Sequence, residues 1–415
     1  MTNRIVRYTI LQMTTFLNRL VANNIAKSLS GGKSVLLLGP RQVGKSTLIK
    51  EALAKNRRLE TILLQNPRLR QLYENDPGRL IQEYELEKSA GIIFIDEVQK
   101  IPALFDSVQY LIDEQKKQFI LTGSSARKLR RAGVNLLPGR LILHRLDPLM
   151  WAELGLAEKN LVPSIGLTNI NRPSDYQLED CLVFGTLPEI VSLNPGKRRE
   201  LLQSYVTIYL EEEIRAEALS RNVGRFGSFL QLAAQESGAN PNFAKLSNQT
   251  GISVLTIREY YQILTDTLVI HRLPPYIKNT RKRLTKTPRH YFFDLGVRNA
   301  LAEIPLETKS VNADKGRLFE HFVVLEMFRR QHLAGNFQLY YWRTLSGLEV
   351  DLIIQTPRRL IPIEIKAAKN IRAADLSGLK AFLGEHRLKQ GYVVSLDEKP
   401  YRLDQNITVI PWNYC

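Results

Sequence analysis

The sequence predicts an α/β fold, on three observations. Five short runs within the first 150 residues are almost wholly apolar, helical stretches separate them, and a glycine-containing loop joins the first run to a helix. The runs are SVLLLG (34–39), TILLQ (61–65), GIIFID (91–96), FILTG (119–123) and LILHRL (141–146). Near-continuous apolar character suits parallel strands covered on both faces, because a strand with one wet face would alternate. Strands separated by helices build a parallel sheet. A second alternation runs from 290 onward: HYFFD, the helical GRLFEHFVVLEMFRR, QLYYW, EVDLII, LIPIEIKA, a helix near 374–388, and GYVVSL.

Between these halves the pattern changes twice. Residues 155–178 are rich in Pro, Gly, Ser and Asn and read as a linker or irregular insertion. Helical pattern then returns, with Tyr205, Ile208, Tyr209 and Ile214 as an apolar stripe beside Glu211, Glu212 and Glu213. Residues 226–276 read as helix, helix, helix, strand. Pro241 suits the first turn of one helix, Gly251 its end, and Ser253 the cap of the next. This is the layout of a helix-turn-helix followed by a wing. The expected division is a P-loop domain over 1–155, a linker and helical region over 156–225, a winged-helix-like region over 226–289, and a mixed α/β domain over 290–415.

Composition narrows the class. The 415 residues are 44% hydrophobic and 24% charged, ordinary for a soluble globular chain of two or three domains. No apolar run approaches the roughly 20 residues that cross a bilayer, and MTNRIVRYTILQMTTF lacks the apolar core of a signal peptide. Two cysteines, Cys181 and Cys415, allow neither a disulfide framework nor a cysteine-rich zinc site. The six histidines are scattered without ligand spacing. A cytoplasmic protein without a membrane partner is the expectation. The formal net charge of +17 favours a polyanionic partner, nucleic acid among them, against the alternative of a basic surface that serves solubility.

The most specific motif is Gly39-Pro40-Arg41-Gln42-Val43-Gly44-Lys45-Ser46, which matches G-x-x-x-x-G-K-[ST] between a strand and a helix. Its glycines let backbone N–H groups converge on phosphate oxygens at a helix N-terminus. Lys45 is expected on the β- and γ-phosphates of ATP and Ser46 on Mg²⁺, with Thr47 assisting. GIIFIDE delivers Asp96 and Glu97 from the carboxyl end of a buried strand to the same place. Asp96 would hold Mg²⁺ and Glu97 would polarise the attacking water. In FILTGSS, Thr122 or Ser124 would orient that water or sense the γ-phosphate; an ordinary turn is the alternative. Arg140, in LPGR, is the candidate finger onto a neighbouring copy's nucleotide, which would require a homo-oligomer. Arg127 is the runner-up, and a solvated arginine is the alternative for each.

GPRQVGKSTL, IFIDEVQ, LTGSS and the stretch from LPGR to PLMWAEL resemble the AAA-type ATPases of bacteria and archaea whose C-terminal half is a domain of unknown function. GTLPEI, YLEEEI, HYFFDLGVRNAL, GRLFEHFVVLEM, YYWRTLSGLEVDLII and PIEIKA resemble that second half, so the resemblance spans nearly the whole chain. Two departures stand out: no clear second sensor arginine, and no ordinary AAA lid after Trp151. The resemblance implies ATP and Mg²⁺ as ligands and a restriction-endonuclease-like C-terminal domain.

In that domain Asp351, Glu364 and Lys366 form D-x₁₂-E-x-K. In metal-dependent nucleases two carboxylates hold Mg²⁺ and a lysine stabilises developing charge. Glu364 and Lys366 are two apart and share a strand face, and Glu320 lies on an upstream helix as a further carboxylate. A half-buried strand with a plain Glu–Lys pair is the alternative. Arg272, Lys278, Arg281, Lys282, Arg283, Lys286 and Arg289 form a basic run without an acid, which suits DNA phosphates or, alternatively, a solvated hairpin. Two functions stay open: an ATPase coupled to DNA binding or cleavage, and a nucleotide-controlled switch that binds DNA or protein without cutting.

Overall fold

The computed structural model describes residues 16–53, 58–86, 91–124, 138–162, 167–172, 175–210, 223–277 and 287–415. Arg127, Glu211 to Glu213, Ile214 and the basic residues Lys278, Arg281, Lys282, Arg283 and Lys286 lie outside them.

All five expected N-terminal runs form strands. They are β1 (Ser34–Leu38), β2 (Leu59–Leu63), β3 (Ile92–Asp96), β4 (Gln118–Gly123) and β5 (Leu141–Arg145). Every pairing is parallel, in the order β2-β3-β4-β1-β5. Every residue of β1 and β3 is buried, as their apolar runs require, whereas edge strand β5 is part-exposed. Because β1 neighbours β4 on one side and β5 on the other, the loop after β1 opens at the carboxyl edge where the strand order reverses, the usual ligand crevice of such sheets.

The middle region keeps the expected order. Helices Val223–Gln235, Phe243–Thr250 and Val254–Asp266 precede β6 (Ile270–Leu273). Gly251 turns the chain at φ +66°, and the Ser253 side chain accepts the Thr256 N–H. Pro241 stands just before the helix cap, Asn242, rather than inside the first turn. Tyr260 and Tyr261 are buried against Phe226, Phe229 and Phe243, so they fill the core and offer no stacking platform. β6 pairs antiparallel with β7 (Arg289–Phe292), so the expected boundary between 289 and 290 falls inside a ladder.

The C-terminal sheet is mixed. β8 (Gln338–Arg343), β9 (Glu349–Gln355), β10 (Leu360–Ile365), β11 (Gly391–Ser395), β12 (Tyr401–Arg402) and β13 (Ile407–Pro411) are ordered β12-β13-β11-β10-β9-β8. β8–β9–β10 is antiparallel, and β10–β11–β13 is parallel. β12 and β13 were not expected. Helix Lys315–Ala334 is buried on nearly every side, including Glu326, Arg329 and Arg330, so its sequence shows no single apolar stripe. It packs against the end of the first domain: Trp151 meets Phe322 at 5.0 Å and Trp412 at 5.2 Å between ring centroids. One hydrophobic core thus joins the first sheet to the last. Among the described residues no helix is long and apolar enough to cross a membrane.

Candidate functional site

The loop after β1 is shaped by two glycines for different reasons. A Cβ on Gly39 would lie 2.2 Å from the Leu146 carbonyl oxygen, so only glycine fits beside β5. Gly44 sits at φ +89° and starts the helix at Lys45. The Lys45 ammonium is buried and donates to the Gly39 and Pro40 carbonyls, both at 2.9 Å, with the Glu97 carboxylate 3.9 Å away. Ser46 Oγ lies 2.9 and 2.8 Å from the two Asp96 oxygens.

β3 ends in Asp96, and the next residue turns into the left-handed region: Glu97 has φ +59°. Such a conformation costs a non-glycine residue about 1–3 kcal/mol and persists where surroundings over-determine it. Here they do. The Glu97 N–H donates to Thr122 Oγ1 at 3.1 Å, and that hydroxyl donates to Asp96 Oδ1 at 2.6 Å. The Glu97 carboxylate accepts from Ser124 Oγ at 3.1 Å and from Gln99 Nε2, which also reaches Ser124 Oγ at 3.0 Å. Lys45, Ser46, Asp96, Glu97, Thr122 and Ser124 therefore converge at one mouth. Gln99 belongs with them and was not singled out from the sequence; its spacing, two residues after Glu97 in DEVQ, is the signal. A hydroxyl and a carboxylate already in contact form an all-oxygen donor pair, which suits a hard cation such as Mg²⁺. Arg140 is elsewhere. It stands at the amino end of β5, the opposite edge of the sheet, ion-paired with Asp113 at 2.6 Å. It does not reach its own chain's loop.

A buried charged seam runs from this loop to the C-terminal half. Arg19, 7% exposed, donates to the Glu153 carboxylate at 2.9 Å, the Val43 carbonyl at 2.8 Å and the Asp147 carbonyl at 2.5 Å. Asp147 and its neighbours then meet helix Lys315–Ala334. His332 Nδ1 is 2.6 Å from Asp147 Oδ2, and Arg329 donates to the Leu149 carbonyl at 2.8 Å. Glu326 accepts the Trp151 N–H and pairs with Arg330 at 2.8 Å. Burial alone would raise the Asp147 carboxyl, yet His332 and Arg145 beside it hold it below the ordinary carboxylate range. Burial pushes His332 down, so at neutral pH its contact is an N–H donated to a carboxylate rather than an ion pair.

The C-terminal candidates meet only in part. β9 and β10 pair with Leu352 opposite Ile363, which brings Asp351 and Glu364, one step along each strand, to the same face. Lys366, just beyond β10, donates to Glu364 Oε1 at 2.7 Å. Glu320 does not join them around a shared metal position. Among the described residues no three His, Cys, Asp or Glu side chains converge closely enough to hold a metal. The Arg289 guanidinium stands there instead, 3.0 Å from Glu320, 2.9 Å from Glu349 and 3.8 Å from Asp351. Arg289 was expected to touch phosphate as part of the basic run. It is 5% exposed and committed to carboxylates, whereas Arg272 on β6 is exposed.

Burial and the neighbouring Asp351 charge raise the Glu364 carboxyl to about 8. Burial and Asp351 likewise raise Glu320 to about 7. A carboxyl whose folded pKa exceeds its unfolded value near 4.3 takes up a proton on folding, so its contribution to stability is full below that value and lost as pH rises through about 8. Glu364→Gln is therefore expected to stabilise the chain at pH 8 by on the order of 1–3 kcal/mol and to do little at pH 4. Denaturant melts at both values check this; equal shifts would mean that Glu364 stays charged in the fold.

A family model described as an AAA domain matches residues 31–155. Two models described as domains of unknown function match 175–308 (DUF8612) and 315–415 (DUF4143). Uncharacterised proteins of Mycobacterium tuberculosis and Mycobacterium bovis are each 26% identical over 397 residues, covering 94% of this chain and 82% of theirs. One from Haemophilus influenzae is 23% identical, over 70% of this chain and 69% of its own. Among solved structures, a Walker-type ATPase of Pyrococcus abyssi is similar at 15% identity and a TM-score of 0.46, covering 69% of this chain and 96% of its own.

Proposed function

We propose that this chain, in which an AAA domain is followed by two domains of unknown function, is a Mg²⁺-dependent ATPase whose nucleotide state controls DNA binding. One observation carries the ATPase reading: at the mouth of a P-loop Ser46 meets Asp96 and Lys45 lies 3.9 Å from Glu97. Bound Mg²⁺ would supply divalent charge to the phosphate oxygens, with Ser46 and Asp96 as its ligands. Backbone N–H groups of Gln42 to Ser46 and the Lys45 ammonium bind and orient the triphosphate. Glu97 accepts the proton of the attacking water, and Gln99 and Ser124 hold its carboxylate in place. Thr122 ties Asp96 to the Glu97 backbone, so the metal ligand and the base move as one unit.

The seam through Arg19, Asp147 and helix Lys315–Ala334 supports coupling, because it connects the loop's Val43 carbonyl to the C-terminal half through buried polar contacts. DNA as the partner is supported by the net charge of +17, by the helix pair Phe243–Thr250 and Val254–Asp266 with its following hairpin, and by the basic segment from Arg272 to Lys286. Strand cleavage is not part of this reading, since Arg289 pairs with Glu320 and stands 3.8 Å from Asp351, two of the carboxylates that a metal would need.

Labelled duplex DNA tests it. Retention should differ between ATP and ADP and leave the strands intact in Mg²⁺; scission would restore the nuclease reading. Log affinity should fall linearly with log salt. Changing Arg281, Lys282 and Arg283 to Ala should flatten that slope by up to about 0.9 per lost phosphate contact. An unchanged slope would place the DNA site elsewhere, and no binding at low salt would leave the charge a matter of solubility.

A further inference from the structure

Four carboxylates lie at one end of the C-terminal sheet: Glu320 from helix Lys315–Ala334 and Glu349 from β9, both part-exposed, and the buried Asp351 from β9 and Glu364 from β10. Such groups repel one another, and a cation set among them offsets part of that repulsion. The guanidinium of Arg289 reaches three of them. Its two terminal nitrogens divide the work, Nη1 to Glu320 at 3.0 Å and Nη2 to Glu349 at 2.9 Å, and Nη1 stands 3.8 Å from Asp351. The ring of Tyr341 covers its face at 4.9 Å, and Tyr291 donates its hydroxyl to the same Glu320 oxygen at 2.8 Å. This is a planar, multiply hydrogen-bonded fork of the kind that lysine cannot supply.

The remaining oxygens are unequally served. Asp351 Oδ2 accepts the Ile365 N–H at 2.9 Å and Glu364 Oε1 accepts from Lys366. Glu364 Oε2 is buried with no hydrogen-bond partner, in a residue only 6% exposed that stands opposite Asp351 in the β9–β10 ladder. An orphaned buried carboxyl oxygen opposite a second acid is a position that a cation can serve.

We propose that Arg289 is the resident cation of this nest in place of a divalent metal, and that on its removal Glu320, Asp351 and Glu364, held apart while it is present, close on a divalent cation. The side chain fills the space and supplies the charge that a metal would, while pinning the foot of the β6–β7 hairpin to the C-terminal sheet. In the intact chain no divalent ion competes with it, because a metal would have to displace a buried guanidinium together with its hydrogen bonds to Glu320 and Glu349.

Electron paramagnetic resonance of Mn²⁺ added to the nucleotide-free full chain tests this. Wild type and Asp351→Asn should take up the same amount of Mn²⁺, the background of the P-loop being common to both. Arg289→Ala should take up one ion more per chain, and Arg289→Ala combined with Glu364→Gln should lose it again. An ion bound by wild type and lost in Asp351→Asn would overturn the proposal, since a metal would then hold the nest with Arg289 present. Uptake by Arg289→Ala no greater than wild type would overturn it too. Should Arg289→Ala fold poorly, millimolar Mn²⁺ should raise its melting transition and leave that of wild type unmoved. No rescue would show that the nest needs Arg289 for packing and is not shaped for a metal.

Discussion

Glu97→Gln is expected to bind ATP as wild type does and to hydrolyse it about 10²–10⁴-fold more slowly, the usual worth of a positioned general base. The amide keeps the shape of the carboxylate, and its N–H groups can still meet Ser124 and Gln99 once the Gln99 amide turns over. What it cannot do is accept a proton from water. The left-handed turn at φ +59° stays, because the Thr122 hydroxyl holds it through the backbone N–H. Lys45→Ala should fail one step earlier, losing ATP binding itself, since the buried ammonium is the loop's main counter-charge to phosphate. Equilibrium binding of a labelled ATP analogue and steady-state phosphate release separate the two variants. Equal turnover by Glu97→Gln and wild type would remove Glu97 as the base; retained binding by Lys45→Ala would remove the assigned role of the loop lysine.

The parts of this site that were legible in the sequence are those made by neighbours along the chain. Gly39 to Ser46 need only a strand before and a helix after, and Asp96–Glu97 need only a buried strand to carry them. The helix turn at Gly251 and Ser253 was legible for the same reason, because caps are local. Contacts formed by distant residues left no such trace. Arg19 meets Glu153 across 134 positions, and Arg289 meets Glu349 across 60. Arg289 looked like one more member of a basic run, since a sequence does not say which of several cations turns inward. Glu364 and Lys366 could be assigned to one face because strand alternation is a two-residue rule, whereas the face of Asp351 depends on the β9–β10 register, which a sequence does not state. The third carboxylate, Glu320, failed to complete a metal site because a cation from another region was already there. Arg140 was read as a finger onto a neighbouring copy's nucleotide, and its place at the amino end of β5 bears only on its distance from its own chain's loop.

Arg19→Met should destabilise the chain by about 3–5 kcal/mol, the cost of leaving one member of a buried ion pair unpartnered. Four acceptors lose their donor at once: the Glu153 carboxylate and the carbonyls of Val43, Asp147 and Pro148. Glu153 retains the Leu20 and Met150 N–H groups, which soften the loss without supplying a positive charge. Combining Arg19→Met with Glu153→Gln removes both charges while the amide oxygen still accepts from one of the Leu20 and Met150 N–H groups, so no uncompensated charge is left buried. The double variant should therefore recover most of the lost stability in denaturant melts. It should not recover the link between ATP and DNA, because Val43 and Asp147 still lack the side chain that joins them. The two readouts then part: a melt near that of wild type, with DNA affinity equal in ATP and ADP. If the double variant keeps a nucleotide-dependent DNA affinity, the seam is structural only and the coupling runs by another route. If the single variant melts like wild type, the Arg19–Glu153 pair contributes nothing net and its burial is not what holds the loop to the C-terminal half.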